Sequence, residues 1–237
     1  MKFLDIDSPL MQGLSKIADL LILNLLTLLC CLPIITIGPA LTALNYMALK
    51  MVRNEETYIA RGFFKSFKEN FRQSTLIWLL FLVLGLLLAG DYIILSGSEM
   101  QYSGVMQVLI LVAAIFEMCT FLYTFPVLAK FHNTIKKTLK NAFLISIMQF
   151  PKTIVMIIMY LIPLVIFLIS FQLIPFVIFF GLSVPAWVSA KLYNKFFKKL
   201  EDQYWETHGG EPKDEDAEDE RVFRDELDES LQDKSIR

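Results

Sequence analysis

The sequence predicts an all-α, polytopic membrane protein with about five transmembrane helices. Of its 237 residues, 55% are hydrophobic, and the mean hydropathy is +0.54. Exposing so much apolar surface to lipid is more plausible than burying it in one water-soluble core. A helix that crosses the hydrocarbon core of about 30 Å needs about 20 apolar residues. Four stretches of the chain meet or approach that length.

The first three predicted spans are residues 17–37, 75–95 and 103–128. The first of them contains Pro33 and is followed by Gly38 and Pro39. Because proline lacks the backbone N–H that a helix interior needs, these residues predict a bend or an unwound end on the first span.

The run from Thr153 to Ala190 contains no charged residue. It is too long for one helix that is not steeply tilted, and just sufficient for two short spans, 153–170 and 173–190. The turn between them is expected at Ser170, Gln172 and Pro175, which combine polarity with a helix breaker. A shallow re-entrant hairpin is the alternative.

Charge is segregated along the chain. Residues 1–199 carry 17 basic and 9 acidic residues, a net charge of +8, whereas residues 200–237 carry 5 and 15, a net charge of −10. We therefore predict a membrane-embedded helical domain over residues 1–200. The remainder, 201–237, is expected to be an acidic, mostly disordered cytoplasmic tail.

The basic residues predict the orientation of the chain in the membrane. They cluster in the connections 38–74 and 130–152 and after the last span, whereas the opposite side has only Lys2 and Lys16. Short connections rich in lysine and arginine stay in the cytoplasm. The count therefore predicts the N-terminus outside and the C-terminus inside.

Three basic segments that follow spans, 63–73, 135–143 and 195–205, also contain aromatic residues, and their amphipathic spacing predicts cytoplasmic helices. One interpretation is that these helices rest on membrane lipid. The other is that they form a docking surface for a partner. The candidate docking residues are Phe63, Phe64, Lys65, Phe67, Lys68, Phe71, Arg72, Lys136, Lys137 and Lys140.

Polar residues within the predicted spans are the other functional candidates, because a charge at the bilayer centre costs on the order of 3 kcal/mol on insertion scales. Glu117 lies near the middle of the third span, and Asp91 lies near the outer end of the second. Glu117 is either a contact for a substrate, proton or partner, or an acid held within the bundle. Asp19 and Asn24 on the first span are positioned to hydrogen-bond to another helix.

The sequence contains no signature of an enzyme. The nucleotide-binding P-loop, the zinc-protease HExxH pattern, the GxSxG elbow and the calcium-binding EF-hand loop are all missing. The only histidines are His132 and His208, and the three cysteines lie in apolar stretches. We therefore predict a non-enzymatic protein without a cofactor, metal site or nucleic-acid partner.

Residues 31–78, which begin CLPIITIGPALTALNYMALK, and residues 124–143, TFPVLAKFHNTIKKTLKNAF, resemble the YesL-like membrane proteins of Gram-positive bacteria. That family is a domain of unknown function, and the resemblance covers residues 1 to about 200. It implies an accessory role in carbohydrate transport beside ABC importers for oligosaccharides, with importer subunits as partners. It assigns no site residues.

The leading hypothesis is thus an accessory protein of oligosaccharide ABC import or its regulation. One alternative is a small-solute transporter that uses Glu117 and the proline-broken helices. A second alternative is a partner protein in cell-envelope assembly.

Overall fold

The computed structural model describes residues 9–55, 58–96, 103–131, 133–169 and 171–208, and every regular element in these ranges is helical. Short 3-10 turns at Ile34–Thr36 and Phe171–Leu173 precede two of the helices. The eight α-helices are α1 (Pro9–Cys31), α2 (Ile37–Arg53), α3 (Ile59–Ser96), α4 (Ser103–Lys130), α5 (Ile135–Met148), α6 (Phe150–Ile169), α7 (Ile174–Phe180) and α8 (Ser183–His208).

The expectation of about five membrane-spanning helices is confirmed. Within the described residues, α1, α2, α3, α4 and α6 are long and apolar enough to cross a membrane. The pair α7 and α8 meets the same test together, with a bend of 47° between its two helices. The spans predicted from sequence correspond to α1, the second half of α3, α4, α6 and this bent pair. Helix α2 was not predicted as a span.

The first span ends at Cys31, two residues before Pro33, as the proline predicted. The Thr36 hydroxyl donates to the Cys30 carbonyl at 2.6 Å and to the Pro33 carbonyl at 2.8 Å, which satisfies acceptors freed at the helix end. Residues 38–74, which the sequence suggested were a connection, instead form α2 and the first part of α3.

Helix α2 runs back along α1, and its far end lies beside the start of α1. Asn54 ends α2 in the left-handed conformation, with φ of 56°, and its side-chain oxygen accepts a hydrogen bond from Lys16 Nζ at 3.0 Å. The sequence count placed Lys16 on the side of the membrane opposite to residues 38–74. Direct contact with Asn54 does not fit that separation.

Helix α2 is the centre of the hydrophobic core. Its buried residues are mostly small, including Ala40, Ala43 and Ala48, so that α1, α3, α4 and α8 approach it closely. An added Cβ at Gly38 would lie 2.7 Å from Trp78 Cβ, which shows how near α3 comes. The polar residues of α2 lowered its hydropathy, and for that reason the sequence did not predict it as a span.

Helix α3 has 38 residues and two different halves. Residues from Ile59 to Phe81 supply its buried side chains, which pack mainly on α2. Beyond Phe81, α3 leaves the core and pairs with the first half of α4 as an apolar hairpin whose side chains are mostly exposed. We call residues 82–96 and 103–118 the α3–α4 arm.

The uncharged run 153–190 is broken where the sequence predicted. Helix α6 ends at Ile169, and a 3-10 turn that contains Gln172 leads into α7, with Pro175 in its first turn. Helix α8 continues to His208, so the first eight residues assigned to the acidic tail are helical. The remainder of the tail, 209–237, lies outside the described residues, as do His132 and Ser170.

Candidate docking surface and intramembrane polar residues

The first half of α3 turns one face to the core and the other outward. Phe63, one of the candidate docking residues, is 0% exposed and belongs to the core cluster around α2, so its ring does not lie on the outer surface. It faces inward because it shares a helix face with the buried Ser66 and Asn70, three and seven residues on. Phe67 is half-buried and stacks on Phe63, with ring centroids 6.2 Å apart.

The outward face of this half keeps the other candidate residues. Phe64 and Phe71 are each 40% exposed, and Lys65, Lys68 and Arg72 are exposed beside them. Side chains at positions i, i+4 and i+7 lie on one face of a helix. We call these five residues the basic face of α3.

The start of α5 contacts α3. Ile135 and Leu139 of α5 pack against the cluster that contains Ile77 of α3, and Gln73 Nε2 donates to the Asn133 carbonyl at 2.5 Å. Lys136, Lys137 and Lys140 are exposed, whereas Thr138 and Ala142 of the same helix are buried. The structure therefore joins two of the predicted basic segments through one hydrogen bond just before α5.

A charged cluster fixes the end of α8 against α2, and the sequence did not predict it. Arg53 donates two hydrogen bonds to the Glu201 carboxylate, from Nη2 to Oε1 at 2.7 Å and from Nη1 to Oε2 at 3.1 Å. Its Nε donates to Asn194 Oδ1 at 2.9 Å. Lys130 Nζ lies 3.8 Å from the same carboxylate. Glu201 is 148 residues from Arg53 in sequence, so no local pattern pairs them.

Asn24 bridges α1 to the break between α7 and α8. Its side chain is 0% exposed, and its Oδ1 accepts from the backbone N–H groups of Leu182 and Ser183, both at 2.8 Å. Its Nδ2 donates to the Ile178 carbonyl at 2.7 Å. A helix broken at membrane depth leaves backbone groups that lipid cannot satisfy, and Asn24 supplies partners for three of them. The expected hydrogen bond to another helix is confirmed.

Asp19 and Asp91, the acids of the first and second predicted spans, are less buried than Asn24. Asp19 is half-buried on α1 and makes no hydrogen bond or ion pair with the described residues, so its expected cross-helix bond is not found there. Asp91 is exposed near the end of α3.

Glu117 lies between the two helices of the α3–α4 arm. It is half-exposed, and its carboxylate oxygens are 3.5 and 3.8 Å from the position of a Cβ added at Gly85. The surrounding groove has a volume of about 400 Å³ and is otherwise lined by apolar and small side chains, among them Phe81, Ala114 and Phe121. Glu117 thus faces outward, away from the core around α2.

Two further side-chain hydrogen bonds, both buried in the core, were not predicted from the sequence. The Tyr193 hydroxyl donates to Asn45 Oδ1, and the Thr153 hydroxyl donates to the Tyr123 hydroxyl, both at 3.4 Å. Each pair joins helices far apart in sequence. No group of three or more metal-ligand side chains occurs within the ranges that the structure describes.

A family model matches part of the chain. The model of a family described as Protein of unknown function, DUF624, matches residues 20–92, which include most of α1, all of α2 and most of α3. No curated protein and no solved structure matches the chain. Residues 20–92 are therefore similar to a domain of unknown function, in agreement with the resemblance to the YesL-like membrane proteins.

Proposed function

We propose that this chain is a non-enzymatic accessory membrane protein that binds a larger membrane complex through the basic face of α3. The observation that carries the proposal is the exposure of Lys65, Lys68 and Arg72 beside two partly exposed phenylalanines, Phe64 and Phe71. Arginine and aromatic side chains together are enriched at protein interfaces.

The proposed partner is an ABC importer for oligosaccharides, and this choice rests on the resemblance to the YesL-like family. A role in the regulation of uptake belongs to the same proposal. We further propose that the protein lies in the bacterial plasma membrane, with the basic face and the lysines of α5 in the cytoplasm, where lysine-rich segments remain.

The orientation of the N-terminus follows from the same proposal. The hydrogen bond between Lys16 and Asn54 supports placing the start of α1 on the side of the α2–α3 turn. This gives a cytoplasmic N-terminus in place of the outward one that the count of basic residues predicted. We propose a cytoplasmic C-terminus as before.

A paired charge substitution tests the docking proposal. Lys68→Gln with Arg72→Gln removes two positive charges from the basic face, and Lys198→Gln with Lys199→Gln removes two from exposed positions on α8. Importer subunits that co-purify in mild detergent are quantified for each full-length variant. We expect the first pair to reduce recovery at least about tenfold, the range of one interface hot spot, and the second to leave it near wild type. Isolation of the wild-type chain without importer subunits would contradict the proposal.

Transport by the chain itself is the principal alternative, and envelope assembly is the second. Transport would use Glu117, but the groove of Glu117 is lined by α3 and α4 alone and opens on the outside of the bundle. This arrangement favours contact with another helix over passage of a solute. Solute flux into vesicles that contain the wild-type protein, abolished by Glu117→Gln, would reverse this preference.

A further inference from the structure

The α3–α4 arm places one acidic side chain at mid-depth of an otherwise apolar hairpin. Glu117 is 14 residues from the start of α4, about 21 Å along the helix, and Gly85 is 11 residues from the end of α3, about 16 Å. These distances put the carboxyl near the middle of a hydrocarbon layer about 30 Å thick. The neighbouring Val83, Leu86 and Met118 are exposed, as expected of lipid-facing residues.

The carboxyl of Glu117 has no partner within the described part of the chain. It makes no hydrogen bond and no ion pair there. Its oxygens therefore have no hydrogen-bond partner there, in a region where lipid supplies no donor. Intramembrane acids pair with another polar group or face a water-filled cavity.

The groove beside Glu117 is shaped for close approach by a helix. Gly85 and Ala114 contribute almost no side chain, whereas Trp78, Phe81 and Phe121 close one end, with the rings of Phe81 and Phe121 5.3 Å apart and edge to face. Small residues allow transmembrane helices to pack with short interaxial distances.

Charge decides what occupies the groove. Residues 75–96 of α3 and 103–129 of α4 contain no lysine or arginine, and neither do residues 153–169 of α6. A second copy of this chain docked through the same face would bring Glu117 to Glu117, acid against acid. A helix of another protein with one lysine or arginine at mid-depth supplies both the opposite charge and the hydrogen-bond donors.

We propose that the groove of the α3–α4 arm binds a transmembrane helix of a partner protein through an ion pair between Glu117 and a lysine or arginine on that helix. This contact is separate from the basic face of α3 and stands whether or not that face binds an importer.

Synthetic transmembrane peptides test the proposal without knowledge of the natural partner. The probes are leucine–alanine helices of about 22 residues that carry a central lysine, or a leucine in its place. Energy transfer from the labelled full-length protein to each labelled peptide is measured in phosphatidylcholine vesicles. We expect the lysine peptide to bind about tenfold more tightly than the leucine peptide.

Three variants separate the groove from general membrane partitioning. Glu117→Gln keeps the size of the side chain and is expected to remove the preference for lysine. Gly85→Leu fills the groove while the acid remains and should abolish binding. Asp91→Asn removes the other acid of the arm, which is exposed, and should change nothing. Thermal unfolding of each variant confirms that it is folded.

Three results would overturn the proposal. The first is equal affinity for the lysine and leucine peptides, and the second is a preference that survives Glu117→Gln. The third is energy transfer between two differently labelled copies of the chain that disappears in Glu117→Gln, since this would assign the groove to self-association. Failure of the importer to co-purify would affect none of these measurements.

Discussion

At the scale of single residues, Asn24 shows how one polar side chain stabilises a broken helix in an apolar setting. A primary amide both donates and accepts, and Asn24 uses both capacities at the break between α7 and α8. Glu117 has the opposite environment, because the described chain offers its carboxyl no partner. Two polar residues within spans therefore have different environments.

Replacing Asn24 is expected to destabilise the fold. Asn24→Leu keeps the approximate volume but leaves two N–H groups and one carbonyl without partners, which should lower the free energy of unfolding by about 2 kcal/mol. Chemical unfolding in detergent micelles measures the change. The control is Thr27→Val, since Thr27 is equally buried but bonds only to Leu23 of its own helix. Equal losses in the two variants would show that the bridge to the α7–α8 break contributes nothing.

At the scale of helices, the closest packing joins α2 to α3. Gly38 has no room for a side chain beside the Ser74 carbonyl and Trp78 Cβ, both of which are fixed by the backbone of α3. The Trp78 indole N–H also donates to the Ile34 carbonyl at 2.8 Å. Trp78 therefore contacts both Gly38 and the 3-10 turn that precedes α2. Any side chain at position 38 must move one helix away from the other.

Two glycine substitutions measure this constraint. Gly38→Ala should reduce the free energy of unfolding by about 2 kcal/mol, as overpacking does in dense cores. Gly90→Ala, on the arm of the same α3, meets no atom within 4 Å and should be neutral or stabilising by about 0.5 kcal/mol. Differential scanning calorimetry compares the two variants. A smaller loss at position 38 than at position 90 would contradict close α2–α3 packing.

At the scale of the whole molecule, hydrophobic runs predicted most of the membrane-embedded helices, and the break near Pro175 was also predictable. Helix α2 was not, because Asn45, Lys50 and Arg53 lower its hydropathy while its small residues face the core. The candidate site was likewise predictable only in part. Periodicity placed Phe63 on a face with other aromatic residues but could not tell which face meets α2. The pair Arg53 and Glu201 is set by tertiary packing and has no local signal.

The contact between Lys16 and Asn54 predicts the sidedness of the bundle. Single cysteines are introduced as Ser15→Cys and Tyr58→Cys, both at exposed positions on either side of that contact, in a chain whose native cysteines are replaced by serine. An impermeant maleimide should leave both unlabelled in intact cells and label both after permeabilisation, because the shared side is proposed to be cytoplasmic.

The matched control lies at the other end of α3. Ser96→Cys is exposed at the last residue of α3, after the apolar part of the helix, and should be labelled from outside intact cells. Labelling of positions 15 and 58 from opposite sides would be incompatible with the observed contact. Labelling of both from outside would keep the contact and reverse the proposed orientation.

Helix α3 is about 57 Å long, at 1.5 Å per residue, and contains no proline. One continuous helix therefore carries both the cationic surface near its start and, 13 residues after Arg72, Gly85 of the groove beside Glu117. A protein bound to the cationic surface that tilts the helix must also displace Gly85, since no hinge such as proline lies between them. A change in the tilt of α3 at the cationic surface would therefore change the depth of Gly85 in the bilayer.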